Sequence, residues 1–200
     1  DGELAAEGYF EYGDPLVLKL LYGHRYSLYA LANVGKVDAC SDEERFLKEC
    51  VCEISGIKDL EKCLPMAWSD DGFVVDSWAD RVSIDFSRLV SKVFFSVDKD
   101  ALEGLEIKAV RVRQNPTSVW PFRYPEGSRV VAESDVSDGD YATAIDLSSL
   151  NSGEKICFYV PENCQGRILD GNTDPWAKVP ENISGKEGLC TYIELECSFD

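Results

Sequence analysis

Two hundred residues suit one large β domain or two small ones, and they are enough to bury a substantial core. At 44% hydrophobic and 28% charged the chain is ordinary and globular, and no apolar run reaches the roughly 18 residues of a membrane helix. Its 37 acids and 20 bases leave a net charge of −17, a field that repels phosphate backbones and argues against nucleic acid as a partner. Such a surface also keeps a protein soluble and monomeric.

The start, Asp1-Gly2-Glu3, is acidic and shows no signal-peptide pattern, so a mature or trimmed form is expected. Leu16-Val17-Leu18-Lys19-Leu20-Leu21 reads as a strand, turned near Gly23. The next strand, 25–33, has apolar residues on both faces: Tyr26, Leu28, Ala30 and Ala32 on one, Tyr29 and Leu31 on the other. Asn33-Val34-Gly35 ends it. One helix follows. Ser41 and Glu44 form a capping-box pattern, and Asp42 and Glu43 add charge where the helix dipole favours it. Phe46, Leu47, Cys50, Val51 and Ile54 fall on one helical stripe, and Gly56 ends it.

From there strands dominate. A Pro-Met turn at Leu64-Pro65-Met66 precedes an alternating segment, Val82, Ile84 and Phe86, which reads as a sheet strand with one wet face. The segment 88–97 puts Leu89, Val93, Phe95 and Val97 on one side and Val90, Lys92 and Phe94 on the other. Ile107 to Val112 alternates apolar and basic residues. Residues 114–140 read as long loops, and strands return at Ile156 to Val160 and at Leu189 to Cys197. Several strands, one short helix and long polar connections predict a mainly β fold, a β-sandwich. The boundaries expected are 1–155 for an N-terminal sandwich domain, and 156–200 for the start of a second, incomplete β domain or for strands completing the first.

The eight cysteines fit an oxidising compartment. Cys40, Cys50, Cys52 and Cys63 form one cluster, and Cys157, Cys164, Cys190 and Cys197 another. On the predicted helix Cys50 and Cys52 project to nearly opposite sides, so Cys40 and Cys63 are their natural disulfide partners. Cys190 and Cys197 share a predicted strand, too far apart to bridge, and must look to Cys157, Cys164 or elsewhere. Zinc is disfavoured, because no Cys-x-x-Cys pair is present.

Catalytic chemistry finds little support. The one histidine, His24, sits at a predicted turn without a Gly-x-Ser-x-Gly elbow or a phosphate-binding glycine loop. Asp70-Asp71 and the Asp135, Asp138 and Asp140 group sit in turn-like segments where acids solvate or cap. No catalytic residue and no cofactor is expected. Asp170, Asn172, Asp174 and Glu181 have the spacing of a calcium loop, but Pro175 stands where such a loop needs glycine, and an Asx-type turn is preferred. Trp68, Trp78, Trp120 and Trp176 lie in or near predicted loops and pin them to the sheets or stack on sugar rings.

Four segments carry a resemblance. Leu64-Pro65-Met66 with Arg88-Leu89-Val90-Ser91-Lys92-Val93 resembles the Pro-Met and Arg-Leu-Val-x-Lys-Val signature of the fimbrillins, subunits of type V pili on Gram-negative gut and oral bacteria. Tyr26 to Gly35 is similar to the fimbrillin strand that ends in an Asn-x-Gly turn. Phe158-Tyr159-Val160-Pro161-Glu162-Asn163 is similar to the family's Tyr-Val-x-Glu-Asn segment, and Thr191 to Leu195 to an early strand of its second domain. The order is shared, over about residues 16 to 195.

The resemblance implies a transthyretin-like β-sandwich subunit, exported as a lipoprotein to the outer membrane and cell-surface fimbrium. It implies a structural or adhesive role, with other pilus subunits as partners by strand exchange and a host or bacterial surface ligand for an adhesin. Membrane attachment would run only through a lipid anchor outside this chain. Family members are typically longer, and the cysteine density suits a tip or accessory subunit. The rival expectation is a surface-exposed carbohydrate-binding β-sandwich.

Overall fold

A computed structural model describes residues 2–11, 13–37, 40–54, 60, 62–78, 80–99, 102–122, 136–137, 146–163, 176 and 191–199. The fold is mainly β, built from several small antiparallel sheets. In the first sheet, β1 (Arg25–Ala32) pairs with β3 (Met66–Val74), and β3 with β4 (Ser87–Arg88). The expected strand at 25–33 and its turn are found. Asn33 takes a φ of 61° and Gly35 one of 75°, and the Asn33 amide donates to Leu64 O at 2.9 Å. Asn tolerates this left-handed conformation better than other residues with a side chain.

Two further ladders form the best-buried part. β5 (Val90–Phe95) pairs with β10 (Ile156–Pro161), and β6 (Leu105–Arg113) with β11 (Tyr192–Phe199). Phe158 of β10 packs with Val112 of β6, flanked by Val93, Phe95 and Ile193. Ile107, Val110 and Ile156 pack with Leu150. That leucine comes from a second helix, α2 (Leu147–Asn151), capped by Asp146. The two ladders therefore face each other across one apolar layer, with α2 closing an end. Both ladders draw one strand from residues 156–200, so these C-terminal strands are woven into the preceding sheets.

The register of β6 carries a bulge. Cys197 lies opposite Ile107 and Glu196 opposite Ala109, so Lys108 is an extra residue. An extra residue shifts the inward phase by one, which is why Ile107 and Val110, three apart, are both fully buried.

Four of the expected elements differ, each for a reason. The helix α1 (Glu43–Glu49) is shorter than predicted, and its cap is Asp42 rather than Ser41, with the carboxylate accepting from Arg45 N at 2.7 Å. Beyond it Cys50, Cys52 and Ile54 are buried while Val51 and Glu53 are exposed, a period of two. There β2 (Cys52–Glu53) pairs with β8 (Ser118–Val119), and Ile54 N donates to Thr117 O at 2.7 Å. Cys, Val and Ile are weak helix formers, so a ladder partner wins over the local stripe.

Leu16 to Leu21 forms no strand. Val17 is 82% exposed, and a run apolar on both faces needs a ladder and cover on both sides. Residues 82–86 keep the alternation, with Ile84 and Phe86 half-buried, but form no strand. Side-chain alternation is local, whereas pairing depends on a distant neighbour. Residues 114–140, expected as loop, contain β7 (Asn115–Pro116), β8 and β9 (Val136–Ser137), with β7 paired to β9.

Candidate functional site

The N-terminal stretch 2–22 offers the longest run of exposed apolar side chains: Leu4, Tyr9, Phe10, Leu16, Val17, Leu18, Leu21 and Tyr22. Backbone bonds tie down its two ends. Glu43 N donates to Gly2 O at 2.8 Å at the start of α1, and Gly23 N to Val75 O at 2.8 Å beside β3. Between them the chain doubles back: Asp14 N donates to Glu11 O, Gly13 has a φ of 94°, and Gly8 lies against the Leu16 side chain. The absence of Cβ at Gly8 permits that approach, since a Cβ there would stand 2.7 Å from Leu16 Cδ1. This stretch leads into β1, the outermost strand of its sheet among the described residues. An outermost strand leaves a row of backbone donors and acceptors for another strand to use.

The outer face of the β5–β10 ladder is a second surface. Lys92 stands opposite Tyr159, and Phe94 opposite Cys157. The Lys92 ammonium lies 4.9 Å from the Phe94 ring centroid and 5.9 Å from that of Tyr159, within cation–π range. Phe94 is nevertheless 64% exposed. On the β6–β11 ladder, Arg111 bonds Glu194 and Glu196, and Arg113 also bonds Glu194. The bond from Arg113, then that from Arg111, lowers the Glu194 carboxyl below its ordinary value. Cross-strand pairs of opposite charge support register.

The cysteines divide by environment. Cys40, Cys50, Cys52, Cys63, Cys157 and Cys197 carry free thiols, so the structure forms none of the expected bridges among these six, while Cys164 and Cys190 lie outside the described residues. The helical geometry assumed for Cys50 and Cys52 does not apply, because both sit on extended chain. Burial pushes the Cys50 thiol up to about 11, and burial with the neighbouring Cys50 pushes Cys52 up to about 12. Thiols held protonated in this way are poor nucleophiles. A cleft of about 150 Å³ opens beside Cys52, lined also by Asn33, Val34, Ile54, Leu60 and Cys63.

Asp70 and Asp71, expected in a turn, lie within β3 at a bulge. Tyr26 pairs with Phe73 and Leu28 with Asp70, leaving one extra residue on β3. There Asp70 Oδ1 accepts from Gly72 N at 2.9 Å, and the Arg25 guanidinium donates to Asp71 O. His24 follows the turn at Gly23, as expected, and its backbone bonds Val75. Trp68 is a strand residue of β3 rather than a loop residue, whereas Trp78 is 98% and Trp176 89% exposed. The calcium-spaced residues Asp170, Asn172, Asp174 and Glu181, and the acids Asp135, Asp138 and Asp140, lie outside the described residues. Among the described residues no three His, Cys, Asp or Glu side chains gather as a metal site, and no helix is long and apolar enough to cross a membrane.

Sequence reasoning did not mark three polar anchors. The Asn151 side chain behaves like a strand partner for Ile107: its Oδ1 accepts from Ile107 N at 3.0 Å and its Nδ2 donates to Ile107 O at 2.9 Å. Asn163 Nδ2 and Thr191 Oγ1 both donate to Gln114 O, at 3.1 and 2.8 Å, where Gln114 has a φ of 54°. No sequence period announces such bonds. The Asp146 cap does carry a local signal, an acid before a short Ser-bearing segment.

No protein-family model matches this chain, and neither the curated proteins nor the solved structures contain a match.

Proposed function

We propose that the chain is a non-enzymatic structural subunit or adhesin of a bacterial cell-surface pilus, a fimbrillin-like protein with a transthyretin-like sandwich that assembles by strand exchange. The observation that carries this reading is how the resembling segments meet. Tyr26 to Gly35 and the Pro-Met segment adjoin through the β1–β3 ladder and the Asn33–Leu64 bond. The Val90 to Val93 part of the Arg-Leu-Val-x-Lys-Val segment pairs with Phe158 to Pro161, which run into the Tyr-Val-x-Glu-Asn segment, in the β5–β10 ladder. Asn163 of the latter bonds Thr191, which opens the fourth segment, at 2.8 Å. An exposed apolar stretch beside an outermost strand suits assembly in which backbone bonds give affinity and alternating side chains give register. On this reading the protein works at the outer membrane and cell surface, with other pilus subunits as partners.

Immunogold labelling of cells that make the protein tests it. Label along filaments or at their tips is expected; label confined to the cell body ends the reading. A second reading rests on Trp78 and Trp176, whose exposed rings suit stacking on sugars in a carbohydrate-binding protein. A glycan array with Trp78→Ala and Trp176→Ala separates the two: binding that both variants abolish favours the carbohydrate reading.

A further inference from the structure

We propose that Cys52 and Cys63 are an oxidisable pair, whose cross-link staples β2 to the segment entering β3 and closes the cleft they share. Both cysteines line that cleft, with Leu60 between them in sequence buried against Cys52, Ile54, Val90 and Val119. Neither of the other described cysteines of this cluster, Cys40 and Cys50, lines that cleft. Residues two apart on extended chain hold their Cβ atoms about 6.6 Å apart, beyond the roughly 3.5–4.5 Å of a disulfide, so Cys50 cannot reach Cys52. Cys50 packs instead with Ala67 and Phe122. Cys40 donates its thiol to Asp42 O at 3.3 Å, beside α1, and does not line the cleft.

Exposure sets the order of events. Cys63 is exposed and meets the oxidant first, whereas Cys52 is 4% exposed. With glutathione disulfide as oxidant, the Cys63 thiolate attacks one sulfur, forming a mixed disulfide and releasing one glutathione thiolate. The Cys52 thiolate then attacks the Cys63 sulfur, releasing the second glutathione. Two protein thiols lose two protons and two electrons, and one glutathione disulfide is reduced to two glutathiones. Because burial holds the Cys52 thiol protonated, the second step is the slow one. The product fixes β2 beside Pro65, whose carbonyl accepts from Leu89 N at 2.9 Å at the head of β5.

The full chain is equilibrated with glutathione disulfide, alkylated, digested without reduction and mapped by mass spectrometry. A Cys52–Cys63 peptide is expected, preceded in time by glutathione on Cys63. Oxidation should slow proteolysis around residues 52–65 several-fold in the parent chain and leave Cys63→Ser unchanged. As Cys63 is exposed, that variant should fold, which circular dichroism checks. Cys52 or Cys63 linked to Cys40, Cys50 or Cys164 overturns the pairing, as does Cys63 left glutathionylated beside a free Cys52 at equilibrium. Equal cleavage of the oxidised and reduced chains overturns the staple.

Discussion

The paired ladders β5–β10 and β6–β11 differ sharply from the stretch 2–22, although both are rich in aliphatic and aromatic residues. Ile107, Val110, Val112 and Phe158 are almost wholly buried, while Leu16, Val17, Leu18 and Leu21 are exposed. Hydrophobicity does not separate them. The ladder residues have a paired strand, a facing layer and the α2 lid, so each apolar side chain meets others on the inward face. Leu16 to Leu21 has a tied backbone at its end but no ladder among the described residues. Apolar surface becomes stability only where hydrogen-bonded backbone can be buried with it.

Truncation should break the two regions unequally. Phe158→Ala leaves a cavity between the ladders and should cost about 3–5 kcal/mol, enough to unfold a marginal domain. Val17→Ala should stay within about 0.5 kcal/mol, as exposed sites usually do. Urea denaturation of both measures the contrast. Equal losses would mean that the N-terminal stretch is packed as firmly as the ladders. Asn151→Ala comes next: it leaves both backbone groups of Ile107 without their side-chain partner, at a cost of about 1–3 kcal/mol. Asn151→Asp sharpens that test, since a carboxylate still accepts from Ile107 N but cannot donate to Ile107 O.

Where the sequence was legible, one residue's neighbours in the chain settled its environment. Arg25 to Ala32, Ile107 to Val112 and Ile156 to Val160 alternate or run apolar, end in Gly, Asn or polar residues, and are strands. Where two local patterns overlap, tertiary pairing decides between them. Cys50, Cys52 and Ile54 satisfy a period of two as well as Cys50, Val51 and Ile54 satisfy a helical stripe, and only the pairing of Cys52 with Val119, 67 residues on, decides. Val82, Ile84 and Phe86 show the converse, a strand-like pattern that found no ladder. The candidate surfaces were less legible still. The exposure of Phe94 follows from which face of β5 meets β6, a fact of packing that alternation alone does not carry. The junction at Gln114 joins residues 49 and 77 positions away.

A smaller effect is expected where α1 docks on β1. The Tyr29 hydroxyl donates to Glu43 Oε1 at 2.7 Å, and its ring lies 4.9 Å from Phe122 and 5.5 Å from Phe46. Tyr29→Phe keeps the rings and removes the bond, so a loss of about 1 kcal/mol is expected. Burial first, then the bond to Glu43, raises this phenol from 10.0 to about 12. Its contribution is therefore complete below pH 10 and disappears as pH rises through about 12. The variant should lack that alkaline dependence in thermal melts, whereas a wild-type curve of the same shape would show that neither burial nor the Glu43 bond raises the phenol.

The smallest effect lies at the α2 lid of the buried ladders and separates its charge from its cap. Asp146 accepts from the Ser148 and Ser149 hydroxyls at 2.7 and 2.9 Å and from both their backbone N–H groups. The Ser148 hydroxyl bond first, then the Ser149 bonds, lower its carboxyl from 3.8 to about 2. A carboxylate depressed in the folded state contributes fully above its unfolded value, and that contribution is lost as pH falls through about 2. Asn is also a good cap, so Asp146→Asn should keep α2 and lose the acid dependence, while Asp146→Ala should lose both. Amide shifts of Ser148 and Ser149 followed from pH 6 to about 1.5 read this directly. A wild-type midpoint near 3.8 would mean that the two hydroxyls do not hold the carboxylate, and that Leu150 and the Asn151 bonds to Ile107 anchor the lid without it.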